Sequence, residues 1–140
     1  MPNQRILIVD DDPDVLQGMR VRLGANQYDT FFASDASTAV AKARTCKPDL
    51  VILDLGLPAG GGFFVIESLK AIPSLAVVPI IVVSARDAAA NERLARKAGA
   101  HAFLQKPVDD AQLLAVIRQS LGRQSAWPPI EDRGSIRFQS

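Results

Sequence analysis

The chain has 140 residues and carries 16 Lys plus Arg against 15 Asp plus Glu, a formal net charge of +1. That length suits one domain with a single sizeable core, and the near-neutral balance gives no electrostatic reason to expect nucleic acid or an anionic membrane as partner. The lone Cys46 excludes an internal disulfide or zinc cluster and suits a reducing, cytoplasmic setting, while no signal-peptide pattern and no apolar run near the roughly 20 residues of a membrane span appears.

In chain order, Ile6 to Val9 is an apolar run that predicts a strand buried on both faces. Asp12-Pro13 opens a helix, Asp as N-cap and Pro at the first helical position, and Val15, Met19 and Leu23 mark its apolar face. Tyr28 to Ala33 reads as a second strand, more polar and so at an edge, and Ala36, Ala39, Val40 and Ala43 give a second helix. Leu50 to Leu53 is the third strand, and Val65, Leu69 and Ile72 mark the third helix. Ile80 to Val83 follows as the fourth strand. The fourth helix, Asp87 to Ala98, offers the core little beyond Leu94, Ala95 and Ala98, which predicts the weakest docking of the set. Ala102 to Leu104 is the fifth strand, and Asp109 with Gln112 has capping-box spacing before a fifth helix bearing Leu113, Leu114, Ile117 and Leu121. The domain therefore occupies residues 1–121. Residues 122–140, including Trp127-Pro128-Pro129, have no periodicity and read as a flexible C-terminal tail.

Five alternating strand–helix units with right-handed crossovers predict an α/β three-layer sandwich on a parallel sheet. Ligands of such sheets sit beyond the carboxyl ends of the strands. At those ends lie Asp10, Asp11 and Asp12 after the first strand, Asp54 after the third, Ser84 after the fourth and Lys106-Pro107 after the fifth. Carboxylates about 5 Å apart repel by about 3 kcal/mol per pair at an effective dielectric near 20, so the cluster needs a cation. Oxygen ligands without His or Cys favour a hard ion, and Mg²⁺ is the one that keeps waters and bridges to phosphoryl oxygens. With Asp12 employed as a cap, Asp10 and Asp11 are the metal-side pair. Lys106 offers a compact charge to a phosphoryl oxygen, Ser84 a hydroxyl, and Asp54 remains as nucleophile.

Asp10-Asp11, Asp54, Leu57-Pro58 with Gly62, Ser84-Ala85 and Lys106-Pro107, in this order and spacing, resemble the receiver domains of bacterial response regulators over about residues 4–121. The resemblance implies a flavodoxin-like (βα)5 fold with five strands ordered 2-1-3-4-5. It implies that Asp54 accepts a phosphoryl group from a histidine kinase or phosphotransfer protein. Asp11, Asp54 and the Gly56 carbonyl would bind Mg²⁺ directly and Asp10 through water. Ser84, the Ala85 backbone and Lys106 would hold the phosphoryl group, and the Lys106-Pro107 bond would be cis. Ser84 and Phe103 would act as switch residues, Phe103 turning inward from an exposed position. Output would then leave through the fourth helix, fifth strand and fifth helix to a downstream protein, with a phosphorylation-dependent homodimer left open. The chain is thus read as a signalling receiver and not an enzyme beyond its own phosphoryl acceptance and slow autodephosphorylation.

Two departures from the family pattern stand out. The loop after Asp54 reads Leu57-Pro58-Ala59-Gly60-Gly61-Gly62 where relatives often carry Met-Pro and Asp-Gly, and three successive glycines predict a more mobile loop. The positions two beyond Asp54 and Ser84, which in the family influence phosphoryl lifetime, are Gly56 and Arg86; one opens the line of water attack and the other could cover it. A competing reading takes Asp10-x-Asp12 with Ser84 and Lys106 as a haloacid dehalogenase-like phosphatase, with Asp10 as nucleophile and Asp12 as general acid. Asp14 stands where that family favours Thr or Val, no later acidic pair completes its metal site, and Asp54 would go unexplained. Isolated His101 reads as an ordinary solvated side chain, and Cys46 as a structural residue.

Overall fold

The computed structural model describes residues 2–85, 88–122 and 136–138. Five parallel strands form its centre: β1 (Arg5–Val9), β2 (Asp29–Ala33), β3 (Leu50–Asp54), β4 (Ile80–Ser84) and β5 (Ala102–Gln105). The helices between and after them are α1 (Pro13–Ala25), α2 (Ala36–Cys46), α3 (Gly61–Lys70), α4 (Ala88–Ala98) and α5 (Asp110–Leu121). A one-turn helix over Pro73–Ala76, not foreseen from the sequence, carries the chain from α3 to β4.

Strand alternation divides the apolar residues between two cores, one on each side of the sheet. Leu7, Val9, Val51, Leu53, Val82 and Phe103 meet Ala39, Ala43, Val65, Leu69 and Ala95 of α2, α3 and α4. Ile6, Ile8, Ile52, Ile81, Val83 and Leu104 meet Met19, Leu23, Leu113, Val116 and Ile117 of α1 and α5. Burial on both faces is why residues 6–9 of β1, 50–53 of β3 and 80–83 of β4 are apolar without break, each fully buried Leu or Ile contributing about 1.5–3 kcal/mol. The more polar β2 stands at an edge, as its composition implied. Asp12, Asp35 and Asp109 cap α1, α2 and α5 by accepting hydrogen bonds from Asp14 N, Thr38 N and Gln112 N.

The strand order is β2-β1-β3-β4-β5, with one addition: β6 (Ile136–Phe138) pairs antiparallel with β5 through Leu104↔Ile136, Phe103↔Arg137 and Ala102↔Phe138. The reading of 122–140 as a flexible tail did not anticipate this strand. Three residues are too short to show a period, and only the open edge of β5 supplies the partner. Trp127, Pro128 and Pro129 lie outside the described residues.

The glycine-rich loop turns directly into α3. Ala59 and Gly60 adopt positive φ, 57° and 74°, to turn the chain, after which Gly61 and Gly62 are buried in the first turn of α3. A Cβ on Gly62 would stand 2.8 Å from Leu55 Cα. The absence of a side chain at Gly62 therefore permits close packing of α3 against Leu55, just after β3.

Candidate phosphoacceptor site

Strand order reverses between β1 and β3, and the carboxylates gather at that point. Asp10 follows β1 and is 3% exposed, Asp54 ends β3 and is 8% exposed, and Asp11 is exposed beside them. One carboxylate oxygen from each of the three falls within 4.8 Å of the others. Two turns fix this arrangement. Asp10 Oδ1 accepts the Asp12 N–H at 2.9 Å, and Asp54 Oδ1 accepts the Gly56 N–H at 2.9 Å.

Lys106 reaches into the cluster from the end of β5. Its Nζ stands 3.2 Å from Asp10 Oδ2 and 3.7 Å from Asp54 Oδ1, and the Lys106-Pro107 peptide that follows is cis. Burial pushes the Asp10 carboxyl above the ordinary carboxylate range, and the neighbouring Asp54 charge adds to this against the Asp12 N–H and Lys106. The donor set is all oxygen, crowded and short of positive charge, which suits a divalent cation. A cleft of about 570 Å³ opens beside these groups and runs along α1 past Val15 and Met19 toward Pro107 and Val108.

Ser84 closes the opposite side, 2% exposed at the end of β4, with Ala85 exposed next to it. Its Oγ accepts a hydrogen bond from Asn91 Nδ2 of α4 at 3.2 Å. Sequence reasoning missed Asn91, and the available signal was its place on α4 seven residues beyond Ser84. Phe103 is 5% exposed and packed in the core with Val82 and Ala95. The expected exposed starting position of its ring is therefore not the one observed. A single aromatic on a short strand does not reveal from sequence which side of the sheet it takes. Arg86 lies outside the described residues.

The family model for the response regulator receiver domain matches residues 6–118. The chain belongs to this family. Among related proteins it is 38% identical over 121 residues to the KDP operon transcriptional regulatory protein KdpE of Escherichia coli, covering 86% of this chain and 52% of that one. It is 35% identical over 114 residues to the response regulator PleD of Caulobacter vibrioides, covering 81% of this chain and 25% of PleD. The chain thus spans about half of one relative and a quarter of the other. Among solved structures, a CheY-like receiver domain protein from Methanospirillum hungatei superposes with a TM-score of 0.79 at 30% identity, covering 86% of this chain and 95% of that one. The receiver domain of the Pseudomonas aeruginosa sensor histidine kinase PA1611, solved with magnesium coordinated in its active-site cleft, gives 0.79 at 26%, covering 86% and 98%. Membership identifies the chain as a signalling receiver of two-component systems. Among the described residues no helix is long and apolar enough to cross a membrane.

Proposed function

We propose that this receiver takes a phosphoryl group from the phosphohistidine of a kinase or phosphotransfer protein onto Asp54, in the cytoplasm and with Mg²⁺. The observation that carries this reading is the convergence of Asp10, Asp11, Asp54 and Lys106 at one sheet edge, with Lys106 touching two of the three carboxylates. Asp54 attacks phosphorus through a carboxylate oxygen, forming an acyl phosphate as the P–N bond to the donor breaks and the electron pair leaves on the imidazole. Lys106 stabilises negative charge on the phosphoryl oxygens, and the Ser84 hydroxyl and Ala85 N–H donate hydrogen bonds to them. Asp10, Asp11, Asp54 and the Gly56 carbonyl would hold Mg²⁺, which supplies further neutralisation of the phosphoryl charge. The cleft along α1 gives the donor's side chain a route to Asp54.

The output surface we assign is α4, β5 and α5. Leu94 on α4 is 53% exposed, an apolar contact available to a partner. β6 pairs along the β5 edge in the middle of that face, so a partner that pairs with β5 must displace it. The assignment to Asp54 is tested by incubation with acetyl phosphate and reading of the intact mass. One added phosphoryl group is expected, dependent on a divalent cation and absent in Asp54→Asn. Labelling that persists in Asp54→Asn, or in excess chelator, removes the proposal, and loss in Asp10→Asn alone would favour the phosphatase-like alternative.

A further inference from the structure

The two sides of the parallel sheet are guarded differently. β2 opens with the exposed Asp29, and the Arg20 guanidinium lies over the Phe32 ring at 4.3 Å. Charged groups beside an edge discourage pairing with another chain. On the opposite side β5 reads Ala102-Phe103-Leu104-Gln105, a strand with no charge of its own and with its first three residues buried. Such a strand is a template for one more, and here the chain itself supplies it as β6, joined to the end of α5 through residues 123–135. We infer that the outer edge of β5 is a strand-addition site for an extended segment of a partner protein, and that residues 136–138 hold this site closed in cis. The inference deepens the assignment of β5 to the output face and rests on that reading for the use of the site.

The resident strand shows what the edge accepts. Ile136 and Phe138 are a β-branched and an aromatic residue separated by one position, the types that favour a pleated surface. The pairs Leu104↔Ile136 and Ala102↔Phe138 place positions 136 and 138 on the face of the sheet that packs on α1 and α5. Phe103↔Arg137 places position 137 on the other face. A segment that replaces β6 therefore runs antiparallel to β5 and carries apolar residues at two alternate positions. Main-chain hydrogen bonds supply the affinity in this mode of recognition, and alternate side chains supply the specificity.

Occupancy of the edge is exclusive. A strand has one neighbour on each side, and β4 already holds the inner side of β5, so β6 and an incoming segment compete for the other. A segment joined to its site by a short linker competes at an effective concentration of about millimolar. A partner must exceed that, or meet the chain with β6 released. Residues 136–138 thereby set a threshold on access to β5.

The test is amide hydrogen exchange across residues 102–105 in the full chain, without phosphodonor, for the unmodified sequence and for the double variant Ile136→Pro, Arg137→Pro. Successive strand residues point their N–H groups to opposite edges, so one of the two prolines removes a donor that faces β5. Exchange across 102–105 is expected to rise about tenfold, with β1 and β3 unchanged. A synthetic peptide of residues 134–140 at about millimolar concentration should restore protection in the double variant, and a scrambled peptide should not. By titration calorimetry the same peptide should bind the unmodified chain about tenfold more weakly, because only the open fraction accepts it. Unaltered exchange in the double variant overturns the inference, as does a peptide that binds both chains equally or neither. A doubled mass of the double variant by light scattering that the peptide does not reverse also overturns it, giving the edge to a second copy. Every arm is run on unphosphorylated protein, so failure of acetyl phosphate labelling counts against Asp54 alone, and failure here leaves Asp54 standing.

Discussion

The ammonium of Lys106 stands 3.7 Å from Oδ1 of Asp54, with 27% of the lysine side chain exposed. A positive charge thus already occupies part of the field that a divalent ion must enter. Unit charges near a protein surface interact by up to about 4 kcal/mol at 4 Å, and partial exposure leaves a fraction of that. Lys106→Ala is therefore expected to tighten Mg²⁺ binding about tenfold, about 1.4 kcal/mol, while slowing phosphorylation from acetyl phosphate. Titration calorimetry checks the first effect and intact mass the second; unchanged or weaker Mg²⁺ binding would show that Lys106 does not share the field of the carboxylates.

Gly62 and Gly24 should respond to alanine in opposite senses. A Cβ on Gly62 would press on Leu55 Cα at 2.8 Å, which is backbone and cannot swing away. Gly62→Ala is expected to cost about 1–3 kcal/mol. On α1, a Cβ at Gly24 meets nothing within 4 Å, so Gly24→Ala should stabilise by about 0.4–1 kcal/mol by restricting the unfolded chain. Urea denaturation of both variants measures the two signs, and a neutral Gly62→Ala would contradict the packing of α3 under β3.

At the other end of the sheet, burial and then the nearby Lys70 charge hold the His101 imidazole below its usual pKa. The folded state therefore resists a proton that the unfolded chain accepts. The contribution of His101 is complete above its unfolded pKa of 6.5 and is lost progressively as pH falls from there toward the lower folded value. His101→Gln should flatten the decline in melting temperature over that acidic range. An equally steep decline in the variant would place the acid sensitivity elsewhere.

The central sheet and the grouping of Asp10, Asp11, Asp54 and Lys106 at its edge were legible because the signals are local. Strands such as Ile6 to Val9 and Ile80 to Val83 are apolar without break, and each chemical group directly follows one of them. Asp12, Asp35 and Asp109 lie at helix starts, although only the first and last stood out, with Pro13 and Gln112 beside them. What escaped depends on tertiary partners. Asn91 acquires meaning only when α4 folds back over Ser84, and β6 exists only because β5 has an edge to offer. Phe103 could not be assigned to a face, and the close approach of Gly62 to Leu55 leaves no local signal. Each of these is decided by a neighbour distant in sequence or by backbone geometry that composition does not encode.

Borohydride reduction of the phosphorylated chain tests the account most directly, because hydride converts an aspartyl phosphate to homoserine and marks the position that carried it. After incubation with acetyl phosphate and Mg²⁺, reduction, proteolysis and peptide sequencing by mass spectrometry, homoserine is expected at position 54, with Asp10, Asp11 and Asp12 intact. Homoserine at position 10 with Asp54 unchanged, or none anywhere in a chain whose mass had increased, would contradict it.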